Sequence, residues 1–457
     1  MIRLFHVYYP MRTVILLGGE AVVIWASFVL ATVLAFKQDS YLILNFEDGY
    51  WKILAVTCLT LLCSHWLDLY NPARWGAKGE LYLRLMLLIG SLSFVLGAIE
   101  FLFPSFNMGQ ETFVLAVAIL TVALFGWRKL YVWFARAPYL REHVYLLGSG
   151  PEAEDLLDRL RTQLELGVEV VGWSGSLNGN ITRESLAKDL VDTCSLRGVH
   201  RIVVALADRR GTIPVRELLE MRMRGIRVED CTSWLERVSG KVHLDGLYPS
   251  WMIFSDGFRL RSGLRAMRRL LSIVASLTLL LVTLPVLPLV ALLIKLTSPG
   301  PILYHQARVG KWGQPFFCYK FRTMRADAEA DIGPTWACDD DPRITPVGRY
   351  LRKFRLDEIP QLYNVLRGDM SFVGPRPERP EFVESLSREI PFYPLRHAIR
   401  PGITGWAQIN YNYGHSVEDA VKKLEYDLFY IKNMSVGLDL LTIFQTVKIV
   451  LLGRGAR

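Results

Sequence analysis

The sequence predicts a membrane protein in three parts: an N-terminal four-helix transmembrane bundle, a doubly wound α/β domain, and a C-terminal domain that opens with a helix dipping into the bilayer and returning. Three observations carry this. Four apolar blocks near the N-terminus are each long enough to cross a membrane. Residues 143–255 alternate short apolar strands with helical patterns. A fifth apolar block has basic residues on both flanks and two prolines near its middle.

The four blocks are 13–36, 51–69, 81–103 and 112–134. A hydrocarbon core of about 30 Å takes about 20 apolar residues to cross. Polar interruptions are few: Glu20, Arg84, Glu100 and Arg128. The first block is too long for a cleavable signal peptide, and no small-residue cleavage site follows it. Arg3 and Arg12 precede block one, Arg74 and Lys78 follow block two, and Arg128, Lys129, Arg136 and Arg141 close block four. The segment after block one pairs Lys37 with Asp39, Glu47 and Asp48, and the one after block three has no Lys or Arg. Basic segments stay inside, so the N-terminus and everything from Arg141 onward belong in the cytoplasm. The competing reading is a buried helical bundle of a soluble protein.

Composition agrees with a mixture of membrane and globular parts. The 457 residues are 51% hydrophobic and 21% charged, which excludes a disordered chain and one that lies wholly in lipid. The net charge of +9 suits anionic lipid, phosphorylated small molecules or nucleic acid. No patterned aromatic–basic module accompanies it, and the spans argue against nucleic acid. Six cysteines (58, 63, 194, 231, 318, 338) without a CxxC spacing suggest reduced thiols and no structural zinc.

The second part covers 141–256, after the spans of 1–140. Strand 143–148 runs into Gly148-Ser149-Gly150, then a helix over 152–166. Strands at 168–173 and 201–207 and a helix at 214–224 follow. Alternation of this kind makes a mostly parallel, Rossmann-like sheet. The glycine turn resembles a dinucleotide fingerprint, but Ala153 stands at the third glycine position and no acid ends the next strand, so a regulatory or structural module is the preferred reading.

The third part is 257–457. Its apolar block, 270–296, is preceded by Arg259, Arg261, Arg265, Arg268 and Arg269 and followed by Lys295, Arg308, Lys311 and Lys320. A straight span would strand one basic flank outside. Pro285 and Pro288 break the helix near its middle, so a re-entrant helix over about 268–296 is expected, with an ordinary fifth span as the alternative. Beyond it, 422–432 and 438–452 look helical and amphipathic; the second fits a membrane surface or a core equally well. His397 and His415 have no partner in a ligand pattern and read as bland.

The chemistry concentrates in LRKFRLDEIPQLYNVLRGDMSFVGPRPE, residues 351–378. The adjacent acids Asp357 and Glu358 sit among Arg349, Arg352, Lys353, Arg355, Arg367 and Arg376. Guanidinium forks match phosphate oxygens and hold a neighbouring carboxylate ionised. Phosphoryl chemistry needs such cations, and one or two carboxylates suffice for Mg2+ when the substrate supplies phosphates. A structural ion-pair cluster is the bland alternative.

These stretches resemble the bacterial sugar transferase family, the monotopic phosphoglycosyl transferases that act on polyprenyl phosphate. The matching motifs are SPGPILYHQARVGKWGQPFFCYKFRTM (298–324), RITPVGRYLRKFRLDEIPQLYNVLRGDMSFVGPRPE (343–378) and RPGITGWAQIN (400–410), with a weaker match over 426–439 including Ser435 and Asp439. The N-terminal layout resembles the large, hexose-1-phosphate type, and LDGLYPSWMIFSDGF (244–258) resembles its exopolysaccharide branch.

The resemblance implies an α+β catalytic fold and a reaction. A sugar-1-phosphate would pass from a UDP-sugar to undecaprenyl phosphate, with release of UMP, at the cytoplasmic face of the bacterial inner membrane. Asp357 would be the nucleophile that forms a phosphosugar–enzyme intermediate, and Glu358 with Asp357 the Mg2+ ligands. Lys320, Arg322, Arg352, Arg376 and Arg400 would contact substrate phosphates. Arg268, Arg269 and Pro285 would place the site at the lipid phosphate. A homodimer fits the large-type resemblance. One departure concerns the re-entrant helix, where the family's acid is replaced by Ser272, and Leu284 precedes Pro285 in place of serine. Two other classes compete: a non-catalytic polysaccharide-assembly scaffold or sensor using 141–256, and a nucleotide-sugar oxidoreductase built on the Gly148 turn.

Overall fold

The computed structural model describes residues 2–4, 7–9, 11–70, 78–106, 109–135, 141–149, 151–162, 167–176, 183–206, 213–244, 252–253, 255–258, 262–325, 328, 341–411, 414, 416–451 and 453. Arg74, Arg136, Gly150, Arg259, Arg261, Cys338, His415 and most of the 244–251 stretch lie outside them. By packing the chain divides into two units, 1–2 with 9–231 and 3–8 with 232–457.

The first unit starts with the helices α1 (Met11–Phe36), α2 (Ser40–Phe46), α3 (Gly49–Trp66), α4 (Lys78–Leu102) and α5 (Gln110–Ala135). Their inner faces share a core of Ile24, Phe28, Ile53, Val56, Leu88, Leu92 and Leu120. Their outer faces are apolar too: Val22, Trp51, Phe94, Val122 and Trp133 are 67–78% exposed. Helices whose outward side chains are mostly large and apolar are suited to lipid. Helix α1 touches α5 closely at Gly19, where a Cβ would lie 1.9 Å from the Trp127 ring.

Four described helices are long and apolar enough to cross a membrane: Met11–Phe46, Gly79–Leu102, Gln110–Phe134 and Ser262–Thr283. The expected second span, 51–69, forms α3 but is not among them. Its 18 residues reach roughly 27 Å at 1.5 Å each, and Lys52, Ser64 and His65 dilute its ends.

The same unit contains a four-stranded parallel sheet. Its strands are β1 (Glu142–Leu147), β2 (Val168–Trp173), β3 (Arg201–Val204) and β4 (Arg227–Asp230), in the order β2-β1-β3-β4. Helices α6 (Pro151–Thr162), α7 (Arg183–Arg197) and α8 (Val215–Met223) connect them. The order reverses beside β1, and the turn after it is closed from within. Ser174 Oγ accepts from the Gly148 N–H at 2.7 Å, and Trp173 Nε1 donates to the Gly148 carbonyl at 2.9 Å.

The second unit takes up the chain ahead of residue 256, where the sequence placed the boundary. Helix α9 (Cys231–Ser239) ends in this unit because Glu236 receives Lys432 Nζ at 2.7 Å and Asn433 Nδ2 at 3.2 Å. Helices α10 (Ser262–Thr283) and α11 (Leu287–Thr297) then flank a break at Pro285. A hairpin of β5 (Leu303–Val309) and β6 (Pro315–Phe321) pairs Tyr304 with Lys320 and Arg308 with Phe316. Helices α12 (Pro346–Lys353), α13 (Gln361–Arg367), α14 (Pro380–Glu389), α15 (Trp406–Asn410), α16 (Val417–Lys432) and α17 (Val436–Leu451) pack around Leu362, Val373, Leu424, Leu428 and Leu438. A short parallel pair, β7 (Ser371–Val373) with β8 (Gly402–Thr404), lies among them. Helix α17 does not lie wholly on a surface. Leu438 and Thr442 are in the core, whereas Leu440, Val447 and Leu451 are exposed.

Candidate active site

The Asp-Glu pair is presented by a strained turn. Thr345 caps α12 by accepting from the Gly348 N–H. At Gly348 a Cβ would lie 2.1 Å from the Thr323 carbonyl, so α12 can sit directly on the segment after β6. The chain leaves α12 through Arg355, a non-glycine residue at φ 53°. That left-handed residue reverses direction and starts a 3-10 turn, Leu356–Glu358, which turns both carboxylates inward. Asp357 and Glu358 are each 7% exposed.

The hairpin brings the cations. Asn364 on α13 is fully buried and ties that helix to β6: its Oδ1 accepts from the Tyr319 N–H at 3.2 Å and its Nδ2 donates to the Phe317 carbonyl at 2.8 Å. With that register fixed, Lys320 Nζ donates to Glu358 Oε1 at 3.0 Å. Arg376 donates its Nη2 to the same oxygen at 2.8 Å. Arg352 donates its Nε to Thr323 Oγ1 at 3.0 Å and its charge acts on Asp357. Among the described residues no donor reaches the Asp357 carboxylate.

Electrostatics divides the two acids. Burial pushes the Asp357 carboxyl up to about 6; the Glu358 charge adds to this, and Lys320, Arg352 and Arg376 draw it partly back. Burial also pushes Glu358 up, but Arg376, Lys320 and Arg355 outweigh it and hold that carboxyl well below its usual range. Paired groups driven apart in this way mark an assignment of roles. Glu358 is a fixed anion, and Asp357 keeps its lone pairs unencumbered.

A Mg2+ ion fits this donor set. Among the described residues no three His, Cys, Asp or Glu side chains converge, so the protein offers two hard carboxylates and no closed cage. That is the arrangement in which a diphosphate supplies the remaining oxygens.

Of the other residues the sequence singled out, several serve elsewhere. Arg322 is expected at a substrate phosphate, but it is buried and donates to the carbonyls of Pro299 (2.7 Å) and Ser298 (2.8 Å) and to Ser298 Oγ (2.8 Å). Strand β6 ends at Phe321, so Arg322 no longer follows the alternation that aims Lys320 inward. It braces the end of α11. Arg268 and Arg269 are expected at lipid phosphate and are spent on protein instead. Arg268 Nε donates to Asp439 Oδ2 at 2.7 Å, and its fork also reaches Tyr430. Arg269 donates to the Val365 and Leu366 carbonyls, at 2.5 and 2.8 Å, at the C-terminus of α13, where a cation is favoured. Arg400 is exposed, and its charge acts on Arg269. Pro285 sits in the break between α10 and α11. Ser272 anchors α10 by accepting from the Phe372 N–H at 3.2 Å, and the acid facing Arg268 comes from α17 as Asp439.

Sequence reasoning missed the residues that hold the 375–378 segment. Arg308 was read only as flanking charge, and Arg396 and Asp427 were not singled out; their spacing gives no local signal.

Comparison with known proteins adds the following. A family model described as bacterial sugar transferase matches residues 264–453. A UDP-N-acetylgalactosamine-undecaprenyl-phosphate N-acetylgalactosaminephosphotransferase of Aeromonas hydrophila is 44% identical over 49% of this chain and 52% of its own length. An undecaprenyl-phosphate glucose phosphotransferase of Komagataeibacter xylinus is 33% identical over 77% of this chain and 66% of its own. A UDP-glucose:undecaprenyl-phosphate glucose-1-phosphate transferase of Klebsiella pneumoniae is 35% identical over 88% of this chain and 89% of its own. The chain thus spans about half of the first relative and nearly all of the third.

Proposed function

The chain belongs to the bacterial sugar transferase family, and on that premise we propose that it transfers a sugar-1-phosphate from a UDP-sugar to undecaprenyl phosphate, releasing UMP. The observation that carries the reading is the divided pair: a fixed Glu358 anion clamped by Lys320 and Arg376 beside an Asp357 that no donor reaches among the described residues.

The reaction follows from what these side chains can do. An Asp357 oxygen attacks the β-phosphorus of the donor, forming a phosphorus–oxygen bond while the bond to the bridging oxygen breaks and UMP departs. The sugar phosphate is then held as an acyl phosphate on Asp357. An oxygen of undecaprenyl phosphate attacks the same phosphorus and frees the carboxylate, leaving a diphosphate-linked lipid sugar. Lys320, Arg352 and Arg376 stabilise the negative charge that spreads over the phosphoryl oxygens. Mg2+ held by Glu358 and Asp357 would supply further charge neutralisation across the diphosphate. Dividing the transfer lets a water-soluble donor and a membrane-bound acceptor use one site in turn.

The donor is cytoplasmic, so the catalytic unit lies on the inner face of the bacterial inner membrane, with α10 and α11 forming a re-entrant pair around Pro285. The basic flanks at Arg265 and Lys311 support that topology. Of the 141–256 segment, the part up to Cys231 that carries the parallel sheet serves as a Rossmann-like structural or regulatory module. Its glycine turn being closed by Ser174 and Trp173 favours this over cofactor binding.

Incubation with Mg2+, undecaprenyl phosphate and a panel of UDP-sugars tests the activity. UMP is the expected product; UDP would indicate direct glycosyl transfer and overturn the reading. A cysteine at Trp312, exposed at the hairpin tip, should be labelled only from the cytoplasmic side.

A further inference from the structure

The loop that carries Arg376 has no regular secondary structure, yet four successive carbonyls in it are bonded. The Pro375 carbonyl accepts from the Gly402 N–H at 2.9 Å. The Arg376 carbonyl accepts from Arg396 Nη2 at 3.0 Å. The Pro377 carbonyl accepts from Arg308 Nη1 at 3.1 Å. The Glu378 carbonyl accepts from the Val309 N–H at 2.9 Å. Prolines on both sides of Arg376 fix φ and offer no N–H, so at 375 and 377 the backbone can be held only through its carbonyls.

Two of the four donors are guanidinium groups that are themselves held in place. Arg396 is 5% exposed, lies 2.9 Å from Asp427 Oδ2, and donates to Tyr393 Oη at 2.7 Å. Arg308 has Gln306 Oε1 at 2.6 Å and Glu378 at 3.7 Å. Burying an arginine is costly unless it is paired and bonded. Arg396 is buried and Arg308 partly so, and directing both at neighbouring main-chain carbonyls is a costly way to fix a loop unless its position matters. What the loop positions is Arg376, whose Nη2 reaches Glu358 at 2.8 Å.

We propose that Arg396, backed by Asp427, and Arg308 are positioning residues that clamp the Arg376 and Pro377 carbonyls and thereby aim the Arg376 guanidinium at Glu358 and at the transferring phosphate. The clamp rests on the functional reading above. Neither arginine is required to touch substrate; each acts through Arg376. Arginine suits the task because its rigid planar fork holds two acceptors at fixed angles, whereas a lysine is a point charge on a flexible stem.

Non-additivity tests the clamp. UMP release is measured for the full-length enzyme in membranes, with the UDP-sugar the wild type uses best, for Arg396→Lys, Asp427→Asn and Arg376→Ala and for the two double variants that include Arg376→Ala. Displacing a charged catalytic group by about 1 Å costs up to about 100-fold, so each clamp variant should lose about 10- to 100-fold in kcat with KM little changed. In the Arg376→Ala background the same substitutions should cost less than about twofold, since the residue they position is gone. Losses that multiply in full in that background, or wild-type kcat in Asp427→Asn, would overturn the clamp. Should Arg396→Lys fail to fold, Asp427→Asn carries the test, as it keeps shape and removes only charge. A wild type that releases no UMP with any donor would overturn the functional reading, and the clamp with it.

Discussion

Lys320 and Arg376 reach one and the same oxygen of Glu358, at 3.0 and 2.8 Å. The first comes from a hairpin strand, the second from a loop 56 residues later in number, and Glu358 is the point where the two segments meet. Removing either cation leaves a buried carboxylate half-compensated. Lys320→Met and Arg376→Met should each lower UMP release on the order of 100-fold. The double variant should lose less than the product of the two, because both act through one oxygen. Full multiplicativity, read from initial rates, would mean that the two cations serve separate functions.

His397 gives a pH test of stability separate from the site. Burial, followed by the Arg396 charge, holds its imidazole down at about 4. The unfolded chain therefore binds a proton near pH 6.5 that the folded chain refuses until about 4. Stability contributed by the neutral ring is fully present above the unfolded value and is lost as pH falls from 6.5 toward 4. The difference is on the order of 3 kcal/mol at full extent. Asp427, pushed by burial to about 6, slopes the opposite way over part of that window, so the wild-type curve alone is not diagnostic. The difference between wild type and His397→Gln, from melting curves between pH 4 and 8, should widen as pH rises; a constant difference would contradict the assignment.

Arg322 should show its loss in stability. Its guanidinium serves two carbonyls and a hydroxyl at the end of α11. Arg322→Met leaves those acceptors unpaired and should cost about 2 kcal/mol. The apparent KM for UDP-sugar should stay near the wild-type value. A large rise in KM with an unchanged melting temperature would restore the phosphate-binding role the sequence suggested.

Within the N-terminal bundle, Arg128 lies 2.5 Å from Glu20, with both side chains at most 2% exposed, and Arg128 also donates to the Leu69 carbonyl at 2.8 Å. Breaking the pair strands one charge in an apolar setting. Glu20→Gln should destabilise the detergent-solubilised protein by about 3 kcal/mol, and the double variant with Arg128→Gln should recover part of it. Equal stability of the single variant and the wild type, by thermal aggregation, would show that the pair contributes nothing.

The contrast between Lys320 and Arg322 shows where sequence reading succeeds and stops. Both lie in one motif two positions apart, and strand alternation would aim both at the site; the strand ends between them, and nothing local marks that end. The protein partners of Arg268 and Arg269 were hidden for a related reason. Basic residues ahead of an apolar helix look like a membrane-surface anchor, but their acceptors, Asp439 and the end of α13, come from distant parts of the chain. Asp357 and Glu358 were legible because adjacent acids among so many arginines are unusual in any context. The parallel sheet was legible from its apolar strands. Its edge strand β4, Arg-Val-Glu-Asp, is too short and polar to stand out, and helix α7 went unread. The clamp around Arg376 could not be read, since its donors at 308 and 396 are joined to it only by folding.

The central claim is that Asp357 becomes covalently phosphorylated by the sugar phosphate. Mass spectrometry of enzyme quenched with acid after mixing with the preferred UDP-sugar, in the absence of undecaprenyl phosphate, tests it most directly. The account predicts a sugar-phosphate adduct on the peptide containing Asp357, stoichiometric UMP, and neither in Asp357→Asn. An adduct on another residue, or full turnover by Asp357→Asn, would contradict it.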